Sequence, residues 1–212
     1  VGNFSHRPAK QDRPQFLRNL GPRANFHFQD KSGRVGLRWK ESFSSPALGD
    51  YDNDGHLDFF LLAVYGGDVG VLYRNYGDWT FTEITDGIVS QKSAQAAWAD
   101  FDNDGDLDLL TGGKLYRNPG NDNHWLKVRL AGEGQRHSNV IGAQLRVAWN
   151  GQTLTRQVEA GTGPYNQNDM TLHVGLGNHS EPVSLEIRWP GGHNQELATP
   201  VDRLVVVRRT TP

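Results

Sequence analysis

A nine-residue acidic loop occurs twice in this chain, fifty positions apart: Asp50 to Asp58 reads DYDNDGHLD and Asp100 to Asp108 reads DFDNDGDLD. Each copy carries Asp at loop positions 1, 3, 5 and 9, Gly at position 6 and Leu at position 8. Alternating carboxylates in a tight loop repel one another unless a cation lies among them. Hard cations such as calcium take six to eight oxygen ligands, which such a loop supplies over little chain length. Gly55 and Gly105 permit the sharp turn around the ion. One such run could be a solvated turn. Two in the same register, each followed by an apolar run, point to a pair of cation sites.

The loops are not EF-hands, because that pattern needs a bidentate Glu at position 12 between helices. Position 12 is Leu61 in the first copy and Thr111 in the second. Coordination must close earlier. The expected ligands of the first ion are Asp50, Asp52, Asp54, Asp58 and the main-chain carbonyl of His56. Those of the second are Asp100, Asp102, Asp104, Asp108 and the carbonyl of Asp106. Two calcium ions are expected, with magnesium disfavoured because it demands a tighter octahedron and more water. The runs that follow, FFLLAV (59–64) and LLTG (109–112), fit buried strands better than amphipathic helices.

With 25 Gly, 10 Pro and no long helical periodicity, the 212-residue chain reads as all-β with many turns. Nine of the 24 acidic residues lie in the two loops, four in the first and five in the second. The rest of the surface is balanced or slightly basic, which gives no case for a nucleic-acid partner. No stretch is apolar enough to span a membrane. The absence of cysteine excludes disulfides and thiolate metal sites. A chain that starts at Val1 and has Met170 as its one methionine reads as a processed form or a fragment. Weak calcium loops stay filled at the millimolar levels found outside cells, so the expected location is extracellular or at the cell surface.

A second repeat accompanies the loops. LYRNYG (72–77) and LYRNPG (115–120) follow them, and a degraded copy, FLRNLG, stands at 16–21. Similar tails come after, NFHFQDKSGRVGL (25–37) and WTFTEITDGIV (79–89). A period of this length suits blades of several short strands. From His124 the texture becomes alternating, in WLKVRL (125–130), AQLRVAW (143–149), TLTRQVEA (153–160), TLHVGL (171–176), SLEIRW (184–189) and RLVVVRR (203–209). Short alternating strands split by Gly-rich turns read as a β-sandwich or barrel. The polar stretch Asn118 to Asn123 reads as the linker.

The loops with their LYRN and TFTEIT tails resemble FG-GAP/VCBS repeats, the blade units of integrin-type β-propellers. The segments NHWLKVRLAGEG (123–134), IGAQLRV (141–147), EAGTGPYNQND (159–169), LHVGLG (172–177) and IRWPGG (187–192) resemble the ASPIC/UnbV domain of secreted bacterial proteins and the cartilage acidic protein family. The resemblance implies an arm and partial repeat over 1–22, calcium-binding blades over 23–122 and an ASPIC/UnbV-like β domain over 123–212. A closed propeller needs at least about four blades, so this is an incomplete one whose sheet edges must be covered.

No catalytic residue is assigned. Carboxylates sharing one cation suit neither a general acid nor a nucleophile. The eight histidines lack metal-site spacing, and the serines lack a nucleophile elbow. The six tryptophans read as inter-blade packing before a sugar platform. Sequons stand at Asn3 and Asn178. The leading reading is a non-enzymatic, calcium-stabilised extracellular structural protein. It would self-assemble into a homo-oligomer or helical filament, with Val1 to Pro14 lying on a neighbour's sheet edge. The alternative is a monomeric adhesion or carbohydrate-binding module with a glycan ligand; a hydrolase comes third.

Overall fold

The computed structural model describes residues 15–38, 40–85, 87–90, 92–132, 140–163 and 166–210. The expected arm, Val1 to Pro14 with the Asn3 sequon, lies outside them, as do Trp39, His137 and Ser138. The described chain is nearly all β, as the turn-rich composition and short apolar runs predict.

An antiparallel hairpin of β1 (Leu17–Asn19) and β2 (Phe28–Asp30) comes first, followed by one helical turn, α1 (Ser32–Val35). Strand β1 lies within the FLRNLG segment, 16–21. One full blade follows, with β3 (Phe43–Gly49), β4 (Asp58–Ala63), β5 (Val71–Asn75) and β6 (Phe81–Ile84) in sequential antiparallel order. A second sheet holds β7 (Ala96–Ala99), β8 (Asp108–Thr111) and β9 (Lys114–Tyr116), a blade of three strands among the described residues.

The apolar run in β4 is buried throughout because each face has its own cover. Phe60 and Leu62 turn into a core shared with Trp98 and Leu109 of the second blade. Phe59 and Leu61 turn the other way, into a cluster closed by Phe16 and Phe81. Strand β8 has one such cover only. Leu109 is 1% exposed, whereas Leu110 is 51% exposed and shares an open face with Phe101 and Leu115.

The second half is a sandwich. One sheet has the order β13 (Leu172–Gly177), β10 (His124–Ala131), β16 (Arg203–Arg208), and β10 and β16 run parallel. The other has the order β12 (Gln152–Gln157), β11 (Gln144–Trp149), β14 (Val183–Arg188), β15 (Asn194–Thr199). Leu126, Val128, Leu145, Val147, Leu185, Ile187 and Trp189 fill the space between. The chain order predicts all of these strands except β15. That edge strand, NQELAT, buries little beyond Thr199, so it shows no apolar alternation.

Residues 118–123 are not a free linker. Asn118 Nδ2 donates to Tyr51 O at 2.6 Å and Leu107 O at 3.2 Å, Asn121 Nδ2 to Asp106 Oδ1 at 2.6 Å, and Asn123 Nδ2 to Asp52 O at 2.8 Å. Short amide side chains suit this task because each offers two donors close to the backbone. They bind the start of the sandwich to both acidic loops.

Candidate metal centre

Each acidic loop is the turn of its blade's first hairpin: Gly49 pairs with Asp58, and Ala99 with Asp108. The two turns repeat one another bond for bond. At position 1, Asp50 Oδ2 accepts from Gly55 N–H at 3.1 Å and Asp100 Oδ2 from Gly105 N–H at 3.0 Å. At position 5, Asp54 Oδ1 accepts from His56 N–H at 2.8 Å and Asp104 Oδ1 from Asp106 N–H at 3.0 Å. Gly55 and Gly105 have φ of 92° and 97°, where an L side chain is strained. Position 4, Asn53 or Asn103, is also left-handed, a conformation Asn tolerates.

The LYRN motif explains itself at position 9. Asp58 Oδ2 accepts from Tyr51 N–H at 3.0 Å and its Oδ1 from Asn75 N–H at 2.7 Å. Asp108 is held in the same way by Phe101 at 3.0 Å and Asn118 at 2.8 Å. The motif's Asn thus closes the loop from the neighbouring strand, a role its sequence recurrence flags without specifying.

Not every expected ligand converges. Asp50, Asp52 and Asp54 bring oxygens within 4.8 Å of one another in the first loop, as do Asp100, Asp102 and Asp108 in the second. Asp58 and Asp104 stand outside these groups. His56 is exposed, with its ring against Gly77. Asp106 departs from the role given to it by its carbonyl alone. Its side chain accepts from Asn53 Nδ2 at 2.9 Å and Asn121 Nδ2 at 2.6 Å, which links the two loops.

A cation fits this donor set. Asp50 Oδ1 and Asp100 Oδ1, at the same loop position, are buried without a hydrogen-bond partner, as is Asp52 Oδ1. A buried, unpaired carboxylate oxygen is costly unless a proton or cation meets it. Burial pushes Asp50 up to about 7 and Asp58 up to about 8, with neighbouring carboxylates adding to the effect. Burial and the surrounding Asp side chains likewise raise Asp106 to about 6. These are the shifts of buried acids crowded together with too little countercharge, since Arg156 opposes the shift at Asp50 without cancelling it. Arginines from the LYRN motifs supply part of one: Arg74 Nε lies 2.6 Å from Asp52, and Arg117 lies 2.6 Å from Asp102 and 3.1 Å from Asp104.

The loop tips also form the seam with the sandwich. Gly175 N–H of β13 donates to Asp50 Oδ2 at 3.1 Å and Gly177 N–H to Asn53 O at 2.8 Å. A Cβ at Gly175 would overlap the Asn53 main chain, so this position requires glycine. Against the second loop, Lys127 of β10 sets its ammonium on Asp100, His173 donates from Nε2 to Gly105 O at 3.0 Å, and Trp125 covers Gly105. Asn166 and Asn168 add bonds to Ala96 and Trp98 of β7.

Both halves match described families. The FG-GAP-like repeat model matches residues 50–111, and the ASPIC and UnbV model matches residues 132–211. The two matches agree with the resemblances carried by the acidic loops and by the alternating strands of the second half. The chain is also 28% identical over 207 residues to Cartilage acidic protein 1 of Xenopus tropicalis, an alignment covering 81% of this chain. It spans about 30% of that relative's length. The FG-GAP match begins and ends around the two acidic loops, and the ASPIC/UnbV match takes in β11 to β16. No helix among the described residues is long and apolar enough to cross a membrane.

Proposed function

We propose that each FG-GAP loop binds one calcium ion, and that the chain is a non-enzymatic, calcium-stabilised extracellular structural protein. The observation that carries this reading is the pair of buried, unpartnered oxygens at position 1, Asp50 Oδ1 and Asp100 Oδ1. In the first loop Asp50, Asp52 and Asp54 would hold the ion. In the second, Asp100, Asp102 and Asp108 would do so, and the carbonyl of His56 in the first loop and of Asp106 in the second would be further donors. Calcium would supply positive charge to the crowded carboxylates and no chemistry of bond making. Because the same loops carry the seam with the sandwich, their order would extend to the junction of the two halves. Weak loops of this type stay filled at extracellular calcium levels. The similar Xenopus protein is named for cartilage.

Self-association is the second part of the reading, and one feature favours it. Among the described residues the second blade has three strands, and Phe101, Leu110 and Leu115 are each about half exposed on one face. Open strand edges and apolar faces of this kind are commonly covered by another chain. A second copy would cover both.

Chelation tests the calcium reading. Calcium held only by the folded chain raises stability by mass action. Removing it with EDTA should lower the melting temperature and expose the blade amides to hydrogen exchange before those of the sandwich. An unchanged melting temperature would contradict it. Light scattering of the full chain and of Leu110→Glu tests self-association, with assembly expected for the first and loss of it for the second.

A further inference from the structure

Between the blades and the sandwich lies a cleft of about 360 Å³, separate from the cation loops' own donor sets though bordered by Asp50 and Asp100. We infer that this cleft binds a small hydroxylated carboxylate, with its carboxylate on Arg156 and a hydroxyl on His173.

Arg156 of β12 lines the cleft with its side chain 14% exposed. Its Nη1 donates to Thr155 O at 3.3 Å, but Nε and Nη2 are buried and donate to no partner. Those two nitrogens form the side-on edge of the guanidinium, which grips a carboxylate through two parallel bonds. The nearest carboxylate oxygen, Asp50 Oδ2, is 3.9 Å from Nη2 and already accepts from Gly55 and Gly175. The guanidinium edge therefore has no hydrogen-bond acceptor and one distant charge neighbour, Asp50, a shortfall that a bound anion would make good.

His173 of β13 lines the same cleft. Its Nε2 faces the carbonyl of Gly105 at 3.0 Å, so Nε2 carries the proton and Nδ1 is left as an acceptor. Nδ1 is buried without a partner. Chloride or sulfate has no donor for it, whereas a hydroxyl does. Lys127, the other cationic group of the cleft, is already engaged by Asp100 and Asn103. Apolar walls from Trp98, Leu172 and Met170 complete a site of the size that takes a small molecule. The mouth opens past Leu48, which is 50% exposed.

The test uses the full chain in calcium-containing buffer and three probes: D-glucuronate, acetate and D-glucose. Calorimetry and NMR titration should show saturable binding of glucuronate, at least tenfold weaker binding of acetate, and none of glucose. Arg156→Met should lose glucuronate binding by at least tenfold. Leu48→Trp, a change at the exposed rim, should block the cleft while the melting temperature stays the same, which covers the case of an unfolded Arg156 variant. Absence of glucuronate binding by the native chain would mean that water alone meets these atoms, and would overturn the inference. So would equal binding of glucose, or undiminished binding in Leu48→Trp.

Discussion

Lys127, on the first strand of the sandwich, sets its ammonium 2.5 Å from Asp100 Oδ2 in the second FG-GAP loop. Both side chains are nearly shielded from water, at 6% and 2% exposure, so the pair is a buried one that spans the two halves of the molecule. Removing one partner of a buried pair leaves an uncompensated charge and costs about 3–5 kcal/mol. Lys127→Met should therefore lose stability of that order in EDTA. Part of the loss should return with calcium, because the second loop then carries one more uncompensated negative charge for the ion. Thermal melting with and without calcium checks this, and an equal loss in both conditions would count against it.

Asp102 and Asp106 separate ion binding from loop bracing. Asp106 accepts from Asn53 and Asn121, which joins the second loop to the first and to the segment entering the sandwich. Asp106→Ala leaves those amides without their acceptor and should cost about 1–3 kcal/mol. Its effect on calcium affinity should be smaller than that of Asp102→Ala, whose oxygen converges with Asp100 and Asp108. Parallel calcium titrations and melts of the two variants give the comparison.

The pair of acidic loops, the strands β4 and β8 that follow them and most of the sandwich strands were legible in the sequence because each leaves a local trace. Asp spacing marks the loops, contiguous apolar runs mark β4 and β8, and alternation marks β10 to β14 and β16. What was not legible depends on contacts between distant segments. Asn118, Asn121 and Asn123 read as linker because polar residues next to Pro and Gly look unconstrained, yet their amides clamp both loops. The side-chain role of Asp106 was hidden for the same reason: its partner Asn53 lies 53 positions away. Strand β15 carries too few buried residues to announce itself.

Gly175→Ala tests the seam. An added Cβ would meet the Asn53 main chain, a neighbour that cannot give way without moving the loop. Overpacking of this kind costs about 1–3 kcal/mol. The variant should also bind calcium more weakly at the first loop, since Gly175 N–H positions Asp50 Oδ2. The sandwich amides of β11 and β14, remote from the seam, should keep their protection in hydrogen exchange.

The pH dependence follows from the raised carboxylates. Free aspartates ionise near 3.8, whereas Asp50 and Asp58 in the ion-free fold ionise at about 7 and about 8, chiefly through burial. Between those values the folded chain binds more protons than the unfolded chain, so its stability falls as pH rises. In EDTA the melting temperature should fall as pH rises from about 4 to about 8. Calcium must displace those protons, so its affinity should increase over the same window. A melting temperature in EDTA that rises with pH across this range would contradict the assignment.

Calcium titration by calorimetry of the native chain, Asp50→Asn and Asp100→Asn tests the central claim most directly. These substitutions touch the two position-1 carboxylates whose buried Oδ1 atoms have no partner. The account predicts two ions per native chain and one per variant, with the variants still folded by circular dichroism. A native chain that binds no calcium, or variants that still bind two ions with native affinity, would contradict it.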